Sequence, residues 1–371
     1  LLDSERTLNW FPEPFRRVCV VITARPSYSR VKSVLTALKA RHDIELQIVA
    51  CASALVTRWG RIVDQIREDG FKVNAEIPSV IDGNGLQESA ISTGVLLTQL
   101  AGAFAALRPA VVVTIADRHE TLATAIAASY QNITLCHIQG GEFSGSIDDK
   151  VRNAVTQLAD IHCVATNRAA ERVGRLIGND RDIIHVTGCP SIDIAAEALR
   201  FGPLPSTDII VLQHPVTDQV EEAGEQMRTT IEAVKATGLP ATYFWPGEEA
   251  GAEAMSKELR LAGLHPIRNK PPLEFLRMLL GCKVLVGNSS VGIRECSFLG
   301  VPVVNIGTRQ QGRERVRTMY DFGHEQERIT KGIQFWCGGH SIAERTRLYG
   351  DGHAGERIAS ILAGKAQEAV A

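Results

Sequence analysis

The chain has 371 residues, 44% hydrophobic and 22% charged, the balance of a soluble globular protein with room for two domains. Its formal net charge of −2 excludes nucleic-acid binding through bulk charge, so an anionic ligand would have to be met by a few placed arginines. Eight scattered Cys without a CxxC pair predict buried thiols in a reducing cytoplasm rather than disulfides or a zinc site.

The opening LLDSERTLNWFPEPF (1–15) is set apart as a leader; it lacks a basic region followed by an apolar one, so it is not a secretory signal. No long uncharged apolar run is expected to cross a membrane. RVCVVITARPSYSRVKSVLTALKA then reads strand, loop, helix, with Arg25 and Ser29 in the loop. Arg25 is either a surface residue or a phosphate contact at a helix start. ELQIVACASA is a strand, RIVDQIREDGF a helix, AEIPSVIDGNG a strand with a glycine loop, and LQESAISTGVLLTQLAGAFAAL a long apolar helix. VVVTIA is a buried parallel strand ending at Asp117, beside Arg118 and His119. A helix, the strand ITLCHI, the loop QGGEFSGSIDD and the helix KVRNAVTQLA follow. Asp117, Glu142, Asp148 and Asp149 would therefore converge where strands end, the edge at which a doubly wound sheet binds ligands. Asp149 is also a candidate helix cap. Several carboxylates at one edge suit proton transfer, because like charges push their pKa values apart.

IHCVAT, AAERVGRLI and IIHVTG continue the strand–helix alternation of a parallel sheet covered on both faces. GCPSIDIAAEALRFGPLPST is a domain junction, which divides the chain into an N-terminal domain over 16–195 and a C-terminal domain over 196–371. In the second, DIIVLQHPVT is a strand ending in Gln213, His214 and Pro215, where His214 is either structural or a ligand contact. KVLVGNSSVGIRECSFLG is a strand whose end, Asn288-Ser289-Ser290, opens a helix. Free N–H groups, two hydroxyls and the small Gly287 there would cradle phosphate, with Glu295 further along for a ribose diol. The plainer reading makes Ser289 or Ser290 an N-cap. VPVVNIGTRQ is the last clear strand; Arg309 and Arg313 after it suit a nucleotide diphosphate or a solvated loop. HAGERIASILAGKAQ is an amphipathic final helix, expected to pack back on the first domain. Gly350–Gly355 matches GxGxxG, but without a preceding strand it is no dinucleotide site.

Two α/β domains, each Rossmann-like and doubly wound, a linker and a diphosphate cradle suggest a glycosyltransferase-B-type architecture with the site in the interdomain cleft. ARPSYS, ADR at 116–118, HIQGGEFSGSIDD at 137–149, GCPS, QHPVT, GNSSVGIRE at 287–295 and GTRQ at 307–310 stand in order along nearly the whole chain. Together they resemble the UDP-N-acetylglucosamine 2-epimerase family, and HIxGGExSGxID resembles its hydrolysing branch. The resemblance implies elimination of UDP from UDP-N-acetylglucosamine to 2-acetamidoglucal, then water addition to give N-acetylmannosamine, a precursor of sialic acid-type sugars, with no cofactor and no metal. It implies that Asp117 and Asp148 are the acid/base carboxylates and Arg118 a substrate contact. Arg25, Ser29, His214, Ser289, Ser290, Glu295 and Arg309 match its nucleotide-sugar contacts. The expected partners are the nucleotide sugar and a second copy in a homodimer. The chain departs from the family at Gln139, where many members have Glu, and at Gly247, where an Asn often follows the Trp-Pro pair. Gln139 can position but cannot exchange a proton at neutral pH, so Glu142 is the spare carboxylate. Rival readings are a 2,4-diacetamido-trideoxy sugar on UDP or GDP, a non-hydrolysing epimerase, a glycosyltransferase and a nucleotide-sugar sensor.

Overall fold

A computed structural model describes residues 16–368 apart from 82–84, 116, 145–146, 179–181, 248, 317–318 and 340–343. The leader 1–15 and the centre of the glycine loop after residue 81 lie outside the described residues. The first domain runs β1 (Arg16–Ile22), α1 (Arg25–Lys39), β2 (Ile44–Cys51), α2 (Ile62–Glu68), β3 (Ala75–Ile77), α3 (Leu86–Leu107), β4 (Val111–Ile115), α4 (His119–Ser129), β5 (Thr134–Ile138), α5 (Asp148–Leu158), β6 (Ile161–Val164), α6 (Asn167–Ile177) and β7 (Ile184–Val186). α7 (Pro190–Phe201) joins it to the second, which runs β8 (Ile209–Leu212), α8 (Ala223–Lys235), β9 (Ala241–Tyr243), α9 (Ala252–Leu261), α10 (Pro272–Gly281), β10 (Val284–Gly287), α11 (Ser290–Ile293), α12 (Glu295–Leu299), β11 (Val303–Ile306), β12 (Tyr320–Phe322), α13 (Gln326–Cys337) and α14 (Ala354–Glu368).

The strands pair in parallel in two sheets, ordered β3-β2-β1-β4-β5-β6-β7 and β12-β11-β10-β8-β9. Continuous runs such as Val111–Ile115 and Ile209–Leu212 are wholly buried because helices cover both faces of each sheet. Strand order reverses between β1 and β4 in the first sheet and between β8 and β10 in the second. Each reversal opens a crevice beyond the strand ends. Ile115 pairs with Ile138, so Asp117 and the 139–149 loop leave the first sheet at one edge. Gly287 pairs with Leu212 and Asn305, so His214, Asn288 and Gly307 leave the second sheet at one edge. The final helix returns to the first domain: Ile358, Ala359, Leu362 and Ala363 share a core with Val18, Val31 and Leu35. The carboxylate of Asp193 on α7 caps it, accepting from the N–H groups of Ala354 (2.9 Å) and Gly355 (2.7 Å).

Four expectations are corrected. β12, an edge strand, follows what looked like the last strand; its sequence Tyr-Asp-Phe is too short and too exposed for an apolar run. The helix opened by Asn288-Ser289-Ser290 ends after one turn, and Arg294 (φ −97°, ψ −67°) separates it from a second short helix beginning at Glu295. Asp149 does not cap α5, since no side chain caps that helix. α3 carries no charge between Glu88 and Arg108 and is long and apolar enough to cross a membrane by length and composition, so an uncharged apolar run does exist. In the fold α3 packs beside α4, burying Ser92, Leu96, Leu100 and Phe104.

Candidate active site in the interdomain cleft

The two crevices face each other, and a buried ionic cluster joins them. Arg152 on α5 donates from one nitrogen to Asp117 and from the other to Asp149 and to the carbonyl of Glu142 (2.8 Å). Asp149 also accepts from the backbone N–H and hydroxyl of Ser144, both at 2.9 Å, so it braces the glycine loop. From the second domain, Arg313 donates to Glu142 and stands 3.7 Å from Asp117. Arg294 reaches Glu142 at 3.0 Å and the Ser290 hydroxyl at 2.7 Å, and that hydroxyl also accepts from Arg30 of α1 at 3.2 Å. Arg25 crosses in the other direction, donating to the Arg268 carbonyl (2.8 Å) and to Asn269 (3.1 Å).

Charge balance separates the carboxylates. Burial alone would raise Asp117, but the guanidiniums of Arg152, Arg30 and Arg313 outweigh it and hold the carboxyl well below the usual range. Burial is likewise overcome at Glu142, lowered by Arg313, Arg294 and Arg152. Glu142 is thus held ionised while it ties the two domains. Asp148, at the start of α5, is pushed up to about 6 by burial and by the neighbouring Asp117 charge, against the pull of Arg309 and Arg152. That value suits a group that both takes and gives a proton near neutral pH. On the cationic side, burial and repulsion from Arg294 lower Arg30 to about 10, the mark of a cluster with positive charge to spare for an anion.

The second-domain wall is ordered by Asn288, whose side chain accepts from the His214 N–H (2.7 Å) and donates to its carbonyl (2.8 Å). Gln310 (2.9 Å) and Arg309 (3.4 Å) donate to the Asn288 carbonyl. Ser289 is the N-cap of α11, its hydroxyl accepting from the Val291 N–H at 3.4 Å. The space left by Gly287 is filled by the protein: a Cβ there would stand 2.1 Å from the Leu212 carbonyl, so the glycine serves strand packing. Glu295 is buried, and its Oε2 has no hydrogen-bond partner in the protein. A buried oxygen left without a donor suits a ligand hydroxyl.

The Ser29 side chain is taken up within its own helix. The Ser29 hydroxyl donates to the Pro26 carbonyl (3.0 Å) within its own helical turn. Gln139, buried and left-handed (φ 66°), uses Nε2 on Cys189 and leaves Oε1 without a protein partner. Arg118 forms a two-point pair with buried Glu120 at 3.0 and 2.9 Å. Arg30, Arg152 and Arg294 escaped the sequence reading. A signal was present at Arg152, three residues after Asp149 on one helical face; Arg294 instead follows the one-turn helix and reaches back to the Ser290 hydroxyl.

Known sequences and structures resemble this chain along nearly its whole length. The sequence model of the UDP-N-acetylglucosamine 2-epimerase family matches residues 36–363. A UDP-N,N'-diacetylbacillosamine 2-epimerase (hydrolyzing) from Legionella pneumophila is 30% identical over 94% of this chain and 95% of its own. A UDP-N-acetylglucosamine 2-epimerase from Neisseria meningitidis is 27% identical over the same shares. The crystal structure of UDP-GlcNAc 2-epimerase from Neisseria meningitidis bound to UDP-GlcNAc superposes with a TM-score of 0.76 at 17% identity, covering 93% of this chain and 99% of the other. The Methanocaldococcus jannaschii enzyme in complex with UDP-GlcNAc and UDP gives the same values. The chain belongs to the UDP-N-acetylglucosamine 2-epimerase family.

Proposed function

We propose that the protein is a hydrolysing nucleotide-sugar 2-epimerase, converting UDP-N-acetylglucosamine and water to N-acetylmannosamine and UDP. The observation that carries this is Asp148, poised at about 6 in the cleft beside Asp117, whose carboxyl the neighbouring arginines hold ionised. Asp148 takes the C2 proton as the C1–O bond to UDP breaks, leaving 2-acetamidoglucal. Water then adds across the double bond, its oxygen to C1 and a proton to C2 from the opposite face. Asp117 is the second carboxylate available to that step, once bound sugar displaces a guanidinium from it. Arg30, Arg294 and Arg313 supply charge for the departing diphosphate, and Glu295 accepts from the ribose. Arg25, Arg118, His214, Ser290 and Arg309 line the path between them.

The Legionella pneumophila relative, and a GDP/UDP-N,N'-diacetylbacillosamine 2-epimerase (hydrolyzing) from Campylobacter jejuni at 24% identity, favour a second reading, the same reaction on a 2,4-diacetamido-trideoxy sugar. Incubation with each UDP-sugar in D₂O, with products identified by NMR, separates the cases. Free N-acetylmannosamine carrying deuterium at C2 is the expected result. UDP-N-acetylmannosamine, or binding without turnover of either sugar, contradicts the hydrolysing assignment. A homodimer through α3 is part of the proposal: its outer face exposes Leu86 and Ile91, and nothing lies within 4 Å of a Cβ built at Gly94 or Gly102. The eight free cysteines fit a cytoplasmic setting.

A further inference from the structure

Glu249, just after β9, has no part in the scheme above. Its Oε1 is held by Arg309 at 3.4 Å, while its Oε2 is buried without a hydrogen-bond partner in the protein. Burial would raise this carboxyl, but His214, Arg309 and Arg118 keep it below its usual range, so it stays charged. An ionised oxygen left without a donor is costly, and a ligand donor removes that cost.

The neighbours narrow what that donor is. Asp148, from the other domain, feels the charge of Glu249, so the two acids share the cleft. The Gly247 N–H donates to His214 Nδ1 at 2.8 Å. Burial lowers His214 to about 4. The neutral ring therefore carries its proton on Nε2 and offers a donor there. Gly247 lets the carboxylate take this place: a Cβ on it would stand 2.2 Å from Glu249 Oε2 and 3.0 Å from His214 Nδ1. A carboxylate repels phosphate, so Glu249 has to face a neutral, donor-bearing part of the ligand.

We propose that Glu249 is a specificity-determining residue, accepting a hydrogen bond through Oε2 from an O–H or N–H group of the sugar, in a position that the small Gly247 allows the carboxylate to hold. This rests on the nucleotide-sugar reading of the same cleft. Calorimetric titration of the full chain with UDP-N-acetylglucosamine and with UDP tests it. Glu249→Gln should weaken the sugar nucleotide about 10- to 100-fold, the scale of one charge-assisted hydrogen bond, and UDP less than about threefold. Gly247→Ala should show the same asymmetry by displacing the carboxylate, and it decides the matter if the glutamine variant does not melt cooperatively. Equal losses for both ligands would assign Glu249 to the nucleotide or to holding Arg309, and no loss for either would remove it from the site; both outcomes overturn the proposal. Failure of the wild-type chain to bind either ligand would instead overturn the nucleotide-sugar reading itself.

Discussion

The cleft has two halves made of the same groups. In one, Asp117, Glu142 and Asp149 are bonded to Arg152, Arg294 and Arg313, and their charges are fixed. In the other, Asp148, Glu249 and Glu295 are paired loosely or not at all, and buried oxygens of Glu249 and Glu295 lack protein donors. The difference lies in the number of guanidiniums within reach rather than in the carboxylates themselves. A carboxylate saturated by arginines becomes structure, and one left with a like charge beside it keeps a usable proton. This assigns Glu142 and Asp149 to holding the domains and balancing the leaving group, the loose half to the sugar and the first proton, and Asp117 to proton transfer only once bound sugar has displaced a guanidinium from it.

Exchanging charges across this divide gives the largest expected effects. Asp148→Asn should lower kcat about 10²–10⁴-fold, the scale for losing an acid/base group, with UDP affinity nearly unchanged in calorimetry. The same variant should melt at a higher temperature than wild type at pH 7. The folded-state value of Asp148 lies above its unfolded one, so the fold favours the protonated form, and stability falls as pH rises from about 4 through about 6. Asparagine escapes that loss. Asp117→Asn should do the opposite: its carboxyl is depressed in the fold, so its contribution is present above the unfolded value and disappears only as pH falls well below 4. Equal changes in melting temperature for the two variants at pH 7 would break the comparison.

Glu142→Gln tests the tie between domains. It leaves Arg294 and Arg313 without their shared anion, which should cost about 3–5 kcal/mol of stability, as for breaking other buried pairs. It should also enlarge the radius of gyration in small-angle scattering. An unchanged unfolding free energy would mean that Glu142 is not the tie. The smallest expected effect belongs to the nucleotide wall, where Glu295→Ala should weaken UDP by about 1–3 kcal/mol. Unchanged affinity in calorimetry would remove Glu295 from the ribose.

Much of this arrangement was legible in the sequence because strands announce their ends. The runs before Asp117, Gln139, His214 and Asn288 are apolar until the sheet edge and polar just after it, so the site residues stand at the transition. The roles of the carboxylates were less legible. Asp117, Glu142 and Asp148 look alike along the chain, and what separates them is the guanidiniums each meets in space, Arg152 and Arg30 at Asp117 and, from over a hundred residues away, Arg313 and Arg294 at Glu142. Arg294 and Arg313 sit in GIRE and GRER, where solvated charge is the ordinary reading. Glu249 was hidden for a similar reason: its loop carries no pattern, and its meaning comes from the carboxylate and imidazole it meets in space.

The most direct measurement is the titration of the two aspartates themselves. In the chain carrying ¹³C-labelled aspartate carboxyls, a resonance absent from Asp148→Asn should titrate near pH 6. The resonance absent from Asp117→Asn should stay fixed between pH 4 and 8. If Asp148 instead titrates below about pH 4.5, as an unperturbed carboxylate would, or if Asp117 is the one that moves near neutrality, the division of the cleft into a clamped half and a proton-exchanging half is wrong.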